Sequence, residues 1–134
     1  MKNIIIHLTL ILFSTICQAN QFMGSWQLVS GEYVDDKNVT HSYENLKLES
    51  IVVLSDTYYS FVTLSKGKFW ASGVGSYSYT DEIYSEKPTY TSYDLNGRTL
   101  YTFKYRFDGD LWYKSRWENG LRMEHEVWKR IKKK

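Results

Sequence analysis

Four short Gly-containing turn signals divide this chain into segments that alternate in side-chain character, and that rhythm limits it to an all-β fold. Ser65-Lys66-Gly67-Lys68, Asn96-Gly97, Asp108-Gly109-Asp110 and Glu118-Asn119-Gly120 are hairpin signals, because Gly and Asn tolerate the positive φ that tight turns demand. Between them run β-branched and aromatic residues with a period of two. Strands are expected at 24–34, 46–54, 57–65, 69–80, 82–93, 99–107, 111–117 and 121–131. Helical periodicity of useful length is not visible. The segment 35–45 resists a strand assignment and reads as a short helix or a flap over one barrel end. Eight short strands at regular spacing mean a barrel or a sandwich, and closure hides the sheet edges completely. The expectation is an eight-stranded (8–10) antiparallel up-and-down β-barrel. Gly73-Val74-Gly75, inside the fourth strand, reads as the bulge or bend that lets a sheet curl shut.

Residues 1–19 are set apart as a signal peptide. Lys2 is the positive n-region, Ile4 to Ile16 a mostly apolar stretch too short to span a bilayer, and Cys17-Gln18-Ala19 a small-residue cleavage site before Asn20. The barrel domain is then 20–134, periplasmic or secreted, with no transmembrane segment in the mature chain. A lipoprotein tethered through Cys17 is the lesser alternative, since Ser14-Thr15-Ile16 is a poor lipobox. Cleavage removes the only cysteine, leaving no disulfide or thiolate metal site. It also removes one of 17 cationic residues and none of the 15 acidic ones, so the mature chain is close to neutral and lacks the footprint of a nucleic-acid binder. Stability must come from burial. Five Trp, twelve Tyr and six Phe, all but Phe13 beyond the leader, supply the area.

The strand faces carry the functional reading. Tyr101, Phe103, Tyr105 and Phe107 share one face. A three-residue Asp108-Gly109-Asp110 loop would align Leu111, Tyr113, Ser115 and Trp117 with them as the barrel interior. The last hairpin has two registers. A two-residue Asn119-Gly120 turn puts Arg122, Glu124, Glu126, Trp128 and Arg130 inside, whereas a three-residue loop puts Leu121, Met123, His125 and Val127 there. The Asn-Gly turn is the stronger local signal. It brings Trp128 and Arg130 beside Trp26, where a guanidinium lies over an indole as the ends of a barrel meet. The ligand-binding residues expected from this register are Trp26, Phe103, Tyr105, Tyr113, Glu126, Trp128 and Arg130.

Other chemistry is thinly signalled. Glu124-His125-Glu126 invites a metal reading, but on a strand His125 points away from both carboxylates, so no metal site and no cofactor is expected. No nucleophile elbow, phosphate loop or His-Glu-x-x-His pattern marks a catalytic site. Glu124 and Glu126 could form an acid–base pair, though balancing Arg122, Arg130 or Lys114 is the simpler role for them. Lys104, Arg106, Trp112, Lys114 and Arg116 read as a basic, aromatic stripe on an outer sheet face, solvated rather than bound to nucleic acid.

The chain over 22–131 resembles the bacterial lipocalin-like domain proteins of the calycin type. The likeness rests on Gly24-Ser25-Trp26-Gln27-Leu28-Val29-Ser30-Gly31, Gly73-Val74-Gly75-Ser76-Tyr77, Tyr84-Ser85-Glu86, Phe107-Asp108-Gly109-Asp110-Leu111-Trp112 and Glu126-Val127-Trp128-Lys129-Arg130. It implies an exported barrel whose Gly-x-Trp lies on the first strand with the terminal Arg packed across it. Phe22 to Ser30 also looks like the opening of intracellular fatty-acid-binding proteins. Their last strand binds a carboxylate through an Arg-x-Tyr pair. Here Glu126 and Trp128 stand at those positions, which argues against a fatty-acid head group there.

Two functions follow as expectations. The first is a barrel that binds a small hydrophobic or amphipathic molecule in an aromatic cavity. The second is a protein-interaction or inhibitor module with a filled core. A cavity above roughly 300 Å³ marks the binder.

Overall fold

The structure, a computed structural model, describes residues 20–132; the leader assigned to 1–19 lies outside them. Nine strands form in chain order: β1 (Gly24–Val34), β2 (Thr40–Ser42), β3 (Leu48–Leu54), β4 (Tyr58–Ser65), β5 (Lys68–Tyr79), β6 (Ile83–Thr91), β7 (Tyr101–Asp108), β8 (Leu111–Glu118) and β9 (Leu121–Arg130). All pairings are antiparallel. β1 and β3 to β9 follow one another around the sheet, and β9 pairs with β1 to close an eight-stranded barrel. The segment 35–45 is not helical. It doubles back so that β2 adds to the free end of β1, pairing Glu32 with Ser42 and Val34 with Thr40.

Turn chemistry sets the registers. Asn119 and Gly120 both take positive φ (49° and 79°), as do Lys66 and Gly67 (53° and 73°), so each pair is a two-residue hairpin turn matching the twist of its strands. The Asn96-Gly97 signal also makes a turn with φ of 49° and 76°. It lies in the loop 92–100, because β6 and β7 pair only across Ile83–Glu86 and Tyr101–Lys104 and then part.

One hairpin departs from expectation. Gly109 (φ 55°) and Asp110 alone form the β7–β8 turn, Asp108 pairs with Leu111, and Phe107 faces Trp112. This one-residue shift reverses β8. Trp112, Lys114 and Arg116 point inward, while Tyr113 and Trp117 lie outside, Tyr113 with the Arg106 guanidinium 3.7 Å from its ring centre. The outer basic stripe therefore does not exist as drawn from the sequence: only Lys104 and Arg106 are on that face.

A bulge then restores β9. Trp117 pairs with Arg122 and Arg116 with Glu124, leaving Met123 as the extra residue. Arg122 turns outward to Glu32, at 2.6 Å, and Glu124, Glu126 and Trp128 turn inward. Two further bulges serve closure. One, at Val29, keeps both Leu28 and Gly31 facing in. The other makes Thr89 of β6 the extra residue, opposite Val74 and Gly75 of the predicted glycine bend, where a Cβ on Gly75 would clash with the Lys87 carbonyl oxygen.

The barrel is packed at one end only. Phe22, fully buried, plugs the end where β1 begins, its ring 4.8–5.4 Å from those of Tyr79, Tyr84, Tyr105, Phe107 and Trp112. Trp26 lies beside this plug and donates its indole N–H to the Phe22 carbonyl at 2.9 Å. Arg130 pairs with Trp26 in the β1–β9 ladder and holds its guanidinium 4.1 Å from the ring centre. It also donates to the carbonyls of Met23 (2.7 Å) and Gln21 (2.5 Å). The seam thus fastens the chain preceding β1 over the packed end. Replacing Arg130 by Met removes both hydrogen bonds and the cation–π contact. It should lower unfolding free energy by about 1–2 kcal/mol in urea denaturation, without altering the opposite end of the barrel.

Candidate functional site

The opposite end, where β1 finishes and β3, β5, β7 and β9 start, encloses a cavity of about 390 Å³. Its apolar walls come from strand alternation: Leu28 on β1, Val52 on β3, Tyr59 and Phe61 on β4, Phe103 on β7 and Trp128 on β9. Trp70, the extra residue of a β5 bulge, and Tyr93, in the loop 92–100, stand half-exposed at the mouth. Ser50 and Thr63 add a polar spot to the wall, but their hydroxyls bond each other at 2.8 Å.

The floor is a buried lysine. Lys114 is only 7% exposed, and its ammonium lies 3.1 Å from Glu86 and 3.1 Å from Glu126. Phe103, Trp112, Tyr84 and Trp128 surround it with ring centres at 4.3, 5.4, 5.7 and 5.9 Å. Burial alone would pull the ammonium toward neutrality. Glu126, Glu86 and Glu124 outweigh that and hold it well above the ordinary lysine value.

Glu126 is the best-satisfied carboxylate of the site. One oxygen accepts from the Tyr43 hydroxyl at 3.0 Å, the other from the Trp128 indole at 2.8 Å and from Lys114. Burial pushes its carboxyl up, but Lys114 and these donors prevail and leave it below the usual carboxylate range. Glu124 has less support. One of its oxygens accepts from Arg116 at 3.1 Å, and burial followed by repulsion from Glu126 pushes its carboxyl up to about 7 despite Lys114 and Arg116. Arg116 also reaches Glu118, which Arg98 contacts at 2.7 Å, so a chain of charges runs from the floor to the rim.

Tyr43 closes the side of the site. The β1–β3 ladder ends at Gln27–Ile51, and beyond it the strands part around a groove of about 590 Å³ that shares Leu28, Tyr43 and Leu48 with the cavity. The Tyr43 ring fills the gap against Gly31, where an added Cβ would lie 2.4 Å from it. The 35–45 segment thus contributes a buried side chain to the barrel wall.

Of the residues expected to bind ligand, Phe103, Glu126 and Trp128 line the cavity. Trp26 and Tyr105 belong to the packed end instead, the Tyr105 hydroxyl donating to the Thr80 carbonyl at 2.6 Å. Arg130 sits at the seam beneath, and Tyr113 is outside because of the β8 register. Sequence reasoning places Lys114 and Arg116 on the outer face and singles out neither Glu86 nor Tyr43 as a site residue, whereas all four line the cavity. A lysine or arginine alternating with aromatics reads as solvent-facing, and no local signal marked them as interior. The expectation that Lys114 balances the β9 carboxylates holds, while Arg122 and Arg130 lie elsewhere. His125 pairs with Ser115 and Glu32, and is not among the residues lining the cavity with Glu124 and Glu126. Among the described residues, no three His, Cys, Asp or Glu side chains gather as a metal-ligand set, and no helix is long and apolar enough to cross a membrane.

No family model matches this chain, and no curated protein matches it. Among solved structures, it is similar to an uncharacterized protein from Bacteroides eggerthii DSM 20697. Sequence identity is 14%, the match covers 82% of this chain and 99% of that one, and the TM-score is 0.52. At that identity the likeness shows the fold alone. The closed eight-stranded antiparallel barrel is consistent with a lipocalin-like fold.

Two predictions follow from the floor. Lys114→Met leaves Glu86 and Glu126 buried without their counter-charge, and should cost about 3–5 kcal/mol in denaturant unfolding. The triple change Glu86→Gln, Lys114→Met, Glu126→Gln should recover most of that loss. A single-variant cost below about 1 kcal/mol would show the ammonium to be dispensable. Glu124 gives a pH signature. Its folded carboxyl binds a proton more tightly than the unfolded chain does, so its stabilising contribution is complete below about pH 4.5 and is lost as the pH rises through about 7. Glu124→Gln removes that dependence. The stability of the natural protein relative to the variant should fall by on the order of 1–3 kcal/mol between about pH 4.5 and 8.

Proposed function

We propose that this protein is an exported binding barrel that holds a small, partly apolar molecule in the cavity above Lys114. The observation that carries this reading is the asymmetry of the interior. One end is filled by Phe22 and its aromatic neighbours, while the other keeps about 390 Å³ open behind walls of the same residue types. Aromatic side chains were available to fill both ends, and a void lined by them forfeits dispersion contacts unless something occupies it. The volume suits a small organic ligand, with Phe61, Phe103 and Trp128 offering apolar surface and the charged floor fixing orientation. Export rests on the leader read at 1–19. The interaction-module alternative loses its outer stripe, since Trp112, Lys114 and Arg116 face inward.

Native mass spectrometry of protein purified from its natural host, beside intrinsic tryptophan fluorescence during ligand titration, tests the reading. A retained or titratable small molecule should perturb Trp70 and Trp128, which line the cavity, and Ala71→Phe, which projects a ring into it, should abolish the effect while leaving the barrel folded. Equal ligand retention by the natural protein and by Ala71→Phe would place the ligand outside the cavity and overturn the proposal.

A further inference from the structure

Resting on that binding reading, we infer that the cavity selects an organic cation: an ammonium carried on an apolar or aromatic body. Three separate features of the lining converge on it.

The first is charge. The lining holds three carboxylates, Glu86, Glu124 and Glu126, against two cations, Lys114 and Arg116. Each of these cations already bridges two carboxylates: Lys114 joins Glu86 to Glu126, and Arg116 joins Glu124 to Glu118. The carboxylates are not equally used. Glu126 accepts through both oxygens, whereas Glu86 and Glu124 each keep one oxygen with no hydrogen-bond partner among the described residues. The unmet demand in this cavity is for donors and positive charge.

The second is a hydroxyl. Tyr59 lines the cavity, is only 1% exposed, and its hydroxyl has no hydrogen-bond partner among the described residues. Glu86 is the charged group that most strongly affects it after burial, which places the two within electrostatic reach of one another. No protein group among the described residues satisfies this hydroxyl where it meets the cavity, and a polar ligand head beside Glu86 would give it a partner.

The third is the wall. Aromatic faces attract cations, most strongly where water is excluded, and this barrel already holds one ammonium in such surroundings at Lys114. A ligand ammonium in the cavity would meet Phe103 and Trp128, the two of these rings that line it, and the two spare carboxylate oxygens. A ligand carboxylate would meet Glu86, Glu124 and Glu126, with both cations already committed.

The test uses three probes with one body and different heads: 4-phenylbutylamine, 4-phenylbutanol and 4-phenylbutyrate, titrated calorimetrically at pH 8. There the amine is an ammonium and Glu124 is largely ionised. The amine should bind at least about tenfold more tightly than the alcohol, and the butyrate most weakly. Glu124→Gln should bring amine and alcohol closer by several-fold, and the probe series on the unaltered protein stands whether or not that variant folds. Equal affinity of amine and alcohol, or tighter butyrate, overturns the cation inference and leaves the cavity as a binding site. No binding by any of the three, matched by no ligand retained from the natural host, overturns the binding reading along with it.

Discussion

A buried ammonium organises this barrel. Lys114 lies where the packed end meets the open end, and no apolar side chain could replace it without stranding Glu86 and Glu126 in a region water barely reaches. Its two ion pairs join β6, β8 and β9, and the rings around it belong to β6, β7, β8 and β9. Below it the aromatic side chains interlock around Phe22. Above it they line a space. An interior charge of this kind adds little net stability compared with a well-packed apolar core, so its presence points to a requirement other than stability, and the cavity directly above supplies one.

The seam plays a complementary part. Arg130 covers Trp26 and fastens the two residues at Gln21 and Met23 that carry Phe22 into the barrel. Closure of the sheet, plugging of one end and exclusion of water beneath Lys114 are therefore mechanically continuous along β1 and β9. At the open end β1 and β9 stay paired, with Arg122 on Glu32, but β1 and β3 part. Tyr43 reaches in from beyond β2 to bond Glu126, and Trp70 and Tyr93 remain half-exposed at the rim, so access to the cavity depends on side chains rather than on an intact β-ladder.

Most of the architecture was legible in the residues. Asn119-Gly120 announced its two-residue turn through the positive φ it tolerates, Ser65-Lys66-Gly67-Lys68 marks a hairpin one residue tighter than strands 57–65 and 69–80 imply, and a register shift falls at Gly73-Val74-Gly75 with its extra residue on β6. The pairing of Trp26 with Arg130 was legible too, as was the inward face of Glu124, Glu126 and Trp128. That last success came through two compensating departures. Asp108-Gly109-Asp110 reads as a loop one residue longer than the turn it makes, which reverses β8, and the bulge at Met123 reverses the correspondence again before Glu124. Bulges at Val29 and Met123 answer to the closure of the whole barrel, and single residues carry no mark of that. For the same reason the interior lysine was hidden. Within a period-two pattern, Lys114 has the signature of a solvated position, and only the true β8 register turns it toward Glu86 and Glu126.

A high-resolution crystal structure of the protein purified from its natural host tests the central claim most directly. The account predicts non-protein density bounded by Phe103 and Trp128, directly over a Lys114 ammonium paired with both Glu86 and Glu126. A cavity closed by inward collapse of Trp70 and Tyr43, with Lys114 turned away from either carboxylate, would contradict it.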